Sequence, residues 1–157
     1  MIKVLFISSG RRGKPGDVVL NQGTSLEKAG IRIDYFLIKP GLSGYLSAVK
    51  RLRNEFKNGR YDLAHAHYSL CGYVAGIAGC KPLVVSLMGS DICVSAFSRK
   101  IISLFIRYRW NETIVKTDQM KELIGNNVVH VIPNGVDIEK FKPIPREIAR
   151  QHIEYKK

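Results

Sequence analysis

The sequence has little cysteine and no long apolar run. Its three cysteines, Cys71, Cys80 and Cys93, are odd in number and show no C-x-x-C spacing. They therefore indicate buried free thiols in a reducing compartment rather than a disulfide framework. No run of about 18 apolar residues occurs, and the apolar segment at the N-terminus is too short for a secretory signal. We therefore expect a cytoplasmic protein without a membrane-spanning segment.

Acidic residues are also scarce relative to basic ones. The 157 residues include 25 Lys and Arg but 13 Asp and Glu, which gives a formal net charge of +12. Such a surplus favours anionic partners, namely phosphates, nucleic acid or acidic lipid, without choosing between them. Apolar residues make up 45% of the chain, which is typical of a folded protein. The length fits one domain with its own hydrophobic core.

Short apolar segments alternate with segments of helical periodicity. The predicted strands are Ile2–Ser8, Ile31–Ile38, Asp62–His67, Leu83–Leu87, Thr113–Lys116 and Val128–Ile132. The predicted helices are Asp17–Ala29, Ser43–Lys57, Leu70–Gly79, Val94–Arg109 and Asp118–Ile124. Nearly continuous apolar strands are typical of a parallel sheet covered on both faces. The alternation therefore predicts a single doubly wound α/β domain with a mostly parallel sheet of six strands.

Two of the predicted helices carry an apolar arc and a basic arc. The apolar arc of the second helix consists of Leu46, Val49, Leu52 and Phe56. The apolar arc of the fourth helix consists of Ile101, Leu104, Phe105 and Tyr108. We expect both arcs to face the core, in preference to a role at a membrane surface. Together with a basic glycine loop, the two basic arcs still form a surface suited to anionic lipid.

Glycine, hydroxyl and histidine residues collect directly after the predicted strands. In an open parallel sheet, ligands bind beyond the carboxyl ends of the strands, where helix N-termini expose their amides. The residues predicted to line one such cleft are Gly10, Gly13, Gly16, His67, Gly89, Ser90, Asp91, Thr117, Asn134 and Gly135. We leave the catalytic residues unassigned.

The glycine spacing after the first strand suits a phosphate-bearing ligand. Gly10, Gly13 and Gly16 allow close backbone approach, and Arg11, Arg12 and Lys14 add positive charge. A flexible surface loop is the structural alternative, because a glycine pattern alone is weakly specific. The spacing is not that of a dinucleotide fingerprint, and strand two ends in a lysine and a proline instead of an acid.

Two further motifs each have a structural and a functional interpretation. His65 and His67 share one face of a strand, but no third zinc ligand is apparent. We therefore predict no metal site, with His65 packed in the sheet and His67 facing the cleft. In the turn Gly89-Ser90-Asp91, we expect Ser90 or Asp91 to cap the next helix and the Gly89 amide to stay available to a ligand.

Three segments resemble the N-terminal domain of family 4 retaining glycosyltransferases, the group 1 transferases of the GT-B fold. They are KVLFISSGRRGKPGDVVLNQGTSLEKAGIRIDYFLI, YDLAHAHYSLCGYVAGIAGCKPLVVSLMGSDI, and ETIVKTDQMKEL with VHVIPNGVDIEKFKP. The resemblance runs from Lys3 to Pro143 and implies a Rossmann-like three-layer sandwich. It implies an acceptor-side domain over residues 1–143, with residues 144–157 starting an inter-domain linker. One departure is Met88, which stands where many members have a histidine.

The same resemblance implies the partners. They are a nucleotide-sugar donor, a glycan or lipid-linked acceptor, and a second domain that holds the donor. The resemblance requires no metal and no other cofactor. Because such a second domain is not part of these 157 residues, we expect the chain alone to be inactive. Polysaccharide biosynthesis at the inner face of the cell membrane, with peripheral contact to anionic lipid, is the setting that fits.

One alternative function stays open at this stage. The basic surface suits a non-catalytic binding module for nucleic acid or anionic lipid. Nucleic acid is the weaker partner, since the sequence has neither a helix-turn-helix nor the aromatic motif of RNA-binding sheets. We therefore expect no nucleic-acid partner.

Overall fold

One parallel sheet with helices on both faces organises the chain in the computed structural model. The structure describes residues 1–10, 13–93, 95–125, 129–138 and 141–152. The strands are β1 (Lys3–Ser9), β2 (Arg32–Ile38), β3 (Leu63–His67), β4 (Leu83–Ser86), β5 (Glu112–Val115) and β6 (Val129–Val131). The helices are α1 (Asp17–Lys28), α2 (Leu42–Gly59), α3 (Ser69–Ala78), α4 (Gly89–Cys93), α5 (Ala96–Tyr108), α6 (Asp118–Ile124) and α7 (Arg146–His152).

The strand order is β2-β1-β3-β4-β5-β6, and every neighbouring pair is parallel. This confirms the predicted α/β fold with a six-stranded sheet. The chain steps from β1 to β2 in one direction and then crosses β1 to reach β3 on its other side. Because such crossovers are right-handed, the reversal places α1 on one face of the sheet and the later helices on the other. The switch point therefore lies between β1 and β3.

The two faces carry separate cores of unequal size. On the α1 face, Val19 packs with Val4, Phe6 and Ile33 of the first two strands. On the opposite face, α2, α3, α5 and α6 bury the large core against β1 to β6. The large core supplies most of the hydrophobic stabilisation, since the free energy gained scales with the apolar area buried.

Small residues on α3 let aromatic rings approach it closely. The indole Nε1 of Trp110 donates to the Gly72 carbonyl at 3.1 Å. A β-carbon at Gly72 would lie 2.8 Å from the Trp110 ring and 2.9 Å from Val85. At Gly76 a β-carbon would meet Phe105 and Arg109. The spacing of these glycines thus sets how closely α3 packs on the sheet and on α5.

The helix predicted from Val94 to Arg109 is α5 (Ala96–Tyr108), and the short helix α4 precedes it. Ser95 caps α5 by accepting a hydrogen bond from the Ser98 amide at 3.1 Å. The core-facing arc predicted for α5 is correct for Phe105, which packs against the core, and wrong for Leu104 and Tyr108. The buried residues of α5 are Ile102 and Ile106, whereas Leu104 and Tyr108 are exposed. Both sides of α5 are apolar, so the pattern does not decide which side is buried; on α2, Leu46 is likewise exposed.

The cysteines follow the prediction where their side chains are described. Cys71 and Cys80 are buried and free, and burial raises the pKa of each thiol to about 12. The side chain of Cys93 lies outside the described residues. No helix in the described part of the chain is long and apolar enough to cross a bilayer.

We predict that Gly72→Ala destabilises the protein by about 1–3 kcal/mol, because the added methyl group overlaps the Trp110 ring and a strand side chain. Urea denaturation followed by circular dichroism measures the change. Gly135→Ala is the matched control, since a β-carbon there meets nothing within 4 Å. Equal stability of the two variants would contradict this account of α3 packing.

Candidate functional site

All the sequence-predicted site residues lie on one edge of the sheet. Because the six strands are parallel, their carboxyl ends meet at this edge, and each predicted residue lies at or just after a strand end. From β1 to β6 the edge spans four strand spacings, or about 19 Å, since neighbouring strands lie about 4.8 Å apart. The candidate site is therefore a long strip, with one group of residues at β1 to β4 and another at β5 and β6.

The glycines after β1 have three different structural roles. The Gly10 amide donates to the Ile38 carbonyl at 3.2 Å, so this glycine extends the pairing of β1 with β2. Gly13 has a φ of +73°, a left-handed conformation that favours glycine. Gly16 precedes α1, and its carbonyl accepts the first helical hydrogen bonds. Arg11 and Arg12 lie outside the described residues, so a phosphate contact at this loop stays a prediction.

The carboxylate of Asp91 joins the turns after β3 and β4. Its Oδ1 accepts from the Ser69 amide at 3.0 Å and from the Ser69 hydroxyl at 2.7 Å. Its Oδ2 accepts from the Met88 amide at 2.7 Å. Asp91 thus reaches back to the residue before α4, as the acidic member of a capping box does. The side chain positions this part of the edge, and Gly89 and Ser90 lie exposed beside it.

Two stacked histidines lie beneath the edge on the α1 face. The rings of His65 and His67 are 4.4 Å apart between centroids, and Phe6 packs edge-on against both. His65 Nε2 shares a hydrogen bond of 2.9 Å with the Ser86 hydroxyl. Both ring nitrogens of His67 are buried without a hydrogen-bond partner, and so is the hydroxyl of Ser8. His65 is packed as predicted, and His67 is fully buried. The ligand contact expected of His67 in the cleft stays a prediction.

Burial keeps both imidazoles neutral. It lowers the pKa of His65 to about 4, and the Lys116 ammonium adds to the effect. Burial, then His65 and Lys116, lowers the pKa of His67 to about 2. Burial also lowers the pKa of Lys116. Each ring therefore offers one donor and one acceptor at neutral pH. Within the described residues, no group of three or more metal-ligating side chains occurs.

The second group of predicted residues borders a cavity of about 400 Å³. Asn134 and Gly135 line it together with Lys116, and α1 closes the opposite side with Asn21 and Ser25. The α1 side of this cavity was not predicted. The signal that could have indicated it is the polar stripe on α1, a helix otherwise expected to pack on the sheet.

Thr117 directly follows the cavity residue Lys116 in the sequence, and its side chain caps a helix. Its hydroxyl oxygen accepts from the Met120 amide at 3.2 Å, which caps α6. Its side chain is exposed, so one further hydrogen bond to a ligand is compatible with the cap. The ligand contacts predicted for the ten site residues stay predictions, but their common edge is a feature of the structure.

This architecture is that of the Rossmann-like domains that form the halves of GT-B enzymes. The sequence model described as Glycosyltransferase Family 4 matches residues 2–140. The chain therefore belongs to Glycosyltransferase Family 4, in the N-terminal domain of its GT-B enzymes. No curated protein sequence matches the chain.

Solved structures share this fold at low sequence identity. HepE from Anabaena, in complex with UDP and glucose, matches with a TM-score of 0.64 and 23% identity over 98% of this chain and 50% of HepE. Sucrose-phosphate synthase from Thermosynechococcus elongatus matches with a TM-score of 0.77 and 16% identity, over 99% of this chain and 53% of the synthase. UDP-N-acetylglucosamine 2-epimerase from Rickettsia bellii matches with a TM-score of 0.53 and 14% identity, over 85% of this chain and 45% of the epimerase. The chain thus spans about half the length of each of these proteins.

We predict that Asp91→Ala destabilises the fold by about 2–3 kcal/mol, because it leaves the Ser69 and Met88 amides without their charged acceptor. Urea denaturation at pH 7.5 measures the loss. Asp118→Ala is the control, since this exposed residue lies in the first turn of α6 and its removal should cost less than about 1 kcal/mol. A similar loss in both variants would refute the role given to Asp91.

We also predict that stability falls by about 4 kcal/mol between pH 7 and pH 5. The folded-state pKa values of His65 and His67 lie below the ordinary value of 6.5. The unfolded chain therefore binds protons that the folded chain does not, and stability present above pH 6.5 is lost as the pH falls. Denaturant titrations at each pH measure this slope.

Two variants separate the buried histidines from other titrating groups. His67→Phe should remove about half of the loss of stability between pH 7 and pH 5, because only one histidine then binds a proton in the unfolded chain and not in the folded chain. His65→Phe should remove the other half for the same reason. Imidazole NMR signals of His65 and His67 that titrate near pH 6.5 would contradict the prediction.

Proposed function

We propose that this chain is the acceptor-side domain of a retaining glycosyltransferase. The enzyme would move a hexose from a nucleotide sugar to a glycan or lipid-linked acceptor during polysaccharide biosynthesis. The observation that carries the proposal is the family match over residues 2–140. The collection of the predicted ligand residues at one sheet edge supports it, because ligands of open parallel sheets bind there.

In this proposal the carboxyl edge forms one wall of a cleft, and a second domain forms the other wall and holds the donor. Gly89 and Ser90 offer exposed polar groups next to the turn that Asp91 fixes. Asn134 is exposed at the cavity beside α1, where Lys116 is half-buried. Neutral amide, hydroxyl and imidazole groups suit the hydroxyls of a sugar, since they both donate and accept hydrogen bonds.

The buried histidines support a binding role for this edge more than a role in proton transfer. A general base works best when its pKa lies near the working pH. The pKa values of about 4 and 2 make His65 and His67 weak bases at neutral pH. Stabilisation of the transition state needs groups arranged around the donor. We therefore propose that the chain alone does not catalyse transfer.

The similarity to an epimerase structure means that the fold by itself does not select the reaction. The epimerase from Rickettsia bellii shares the fold over 85% of this chain. The family membership favours glycosyl transfer, because it is matched on sequence over most of the chain.

We predict that the 157-residue chain shows no transfer activity and binds UDP-glucose weakly, with a Kd above about 1 mM. Isothermal titration calorimetry measures the affinity, and ¹⁵N NMR locates the contact. At high UDP-glucose concentration, the amides of Gly89 and Gly135 at the carboxyl edge should shift. Those of Gly30 and Gly79, which precede strands at the opposite edge, are the internal control. Submicromolar affinity, or shifts confined to the control amides, would overturn the proposal.

A further inference from the structure

Three neighbouring helices expose apolar side chains on their outer side, away from the sheet. We call this surface the outer face. Its exposed apolar residues are Leu42 and Leu46 of α2, Leu70 and Ile77 of α3, and Phe97, Leu104 and Tyr108 of α5. All seven are more than half exposed, and Leu42 and Phe97 reach 78% and 72%. Single exposed apolar residues are common on soluble proteins, but a set shared by adjacent helices indicates an interaction surface.

Direct contacts show that the three helices lie side by side. The Arg53 guanidinium of α2 donates to the Ile77 and Ala78 carbonyls at the end of α3, at 3.0 and 3.1 Å. On the other side of α3, the Tyr73 ring packs on Phe105 of α5 at 4.6 Å. Since α3 is buried against the sheet on its inner side, Leu70 and Ile77 point outward between the two flanking helices.

The charge on these helices has almost one sign. α2 carries four Lys and Arg residues, α5 carries three, and α3 has no charged residue. Glu55 is the one acidic residue in the three helices, and it accepts a hydrogen bond from Tyr61. On α2 the basic residues Lys50, Arg53 and Lys57 continue the line begun by Leu42 and Leu46 at helical spacing. On α5, Lys100 and Arg107 are exposed beside Leu104.

We propose that the outer face docks on a lipid bilayer that contains anionic headgroups. Apolar side chains mixed with Lys and Arg are the composition of helices that lie in a membrane interface. The apolar residues would enter the headgroup and acyl boundary, and the basic residues would contact acidic headgroups. A nucleic-acid partner would use the charges but leave the seven apolar side chains without a function, so the bilayer explains more of this surface.

The docked orientation also has a consequence for the site, which rests on the proposed function. α2, α3 and α5 all begin near the carboxyl edge, and Leu42, Leu70 and Phe97 lie in or next to their first turns. Insertion of these residues would bring the candidate site to the membrane surface. An acceptor carried on a lipid could then reach the edge without leaving the bilayer.

Co-sedimentation of the 157-residue chain with vesicles tests the proposal. We expect binding to vesicles of phosphatidylcholine with 30 mol% phosphatidylglycerol, about tenfold or more tighter than to phosphatidylcholine alone, and weakening as salt rises. Lys100→Glu with Arg107→Glu should weaken binding by at least about tenfold. Phe97→Ser with Leu104→Ser should weaken vesicle binding at low salt and at high salt alike, because the double variant removes apolar area that would insert into the bilayer.

Matched controls carry the same changes on other surfaces. Lys28→Glu reverses a charge on α1, which covers the opposite face of the sheet, and Ile2→Ser with Val18→Ser removes two exposed apolar side chains, one before β1 and one on α1. Both controls should bind vesicles within about twofold of the parent chain. Circular dichroism checks that every variant is folded.

Two outcomes would overturn the proposal. The first is that the folded parent chain does not bind anionic vesicles at low salt, or that the controls lose binding as strongly as the outer-face variants. The second is that the parent chain forms a dimer in sedimentation velocity that the Phe97 and Leu104 variants dissociate, which would assign the face to a second copy. Vesicle binding needs no sugar donor, so it can fail or succeed independently of the proposed transferase function.

Discussion

Parallel pairing of all six strands around β1 is the constraint on which both the site and the outer face depend. It brings every strand's carboxyl end to one edge, so residues far apart in sequence, such as Gly13, His67 and Asn134, share that edge. The same pairing requires each helix to start at this edge and return. The apolar first turns of α2, α3 and α5 therefore lie close to the residues predicted to bind ligand. Neither arrangement would follow from the same residues in an antiparallel sheet.

Buried polar groups near the carboxyl edge differ in whether they have hydrogen-bond partners. Asp91 has three hydrogen bonds and fixes two turns, and His65 is paired with Ser86. His67 and Ser8 have buried polar atoms without a protein partner. An unsatisfied buried donor or acceptor costs about 1–3 kcal/mol, whereas a buried water can satisfy such groups. Among the described residues, two of the three with such atoms, Ser8 and His67, lie on β1 and β3, beside the switch point where ligands of this fold class bind, and the third, Thr113, lies on β5.

Each strand end predicted from the sequence lies within one residue of the observed end, because parallel strands buried on both faces are nearly continuous in apolar residues. It did not predict which side of α5 is buried, since Ile102 and Ile106 compete with Leu104 and Tyr108. It also gave no sign that Asp91 bonds to Ser69, which lies 22 residues earlier in the chain. Periodicity reports local burial, whereas long-range hydrogen bonds and the rotation of a doubly apolar helix depend on tertiary packing.

The two faces of the sheet have different surroundings, and this bears on how two substrates could meet. The cavity lined by Lys116 and Asn134 lies on the α1 face. The outer face belongs to the helices that cover the opposite side of the sheet. With the outer face on a bilayer, the cavity would stay open to solvent, and the carboxyl edge would lie between the two. In the proposed function, a nucleotide sugar from solution and an acceptor held in the membrane would then approach the same edge from opposite sides without competing for one route.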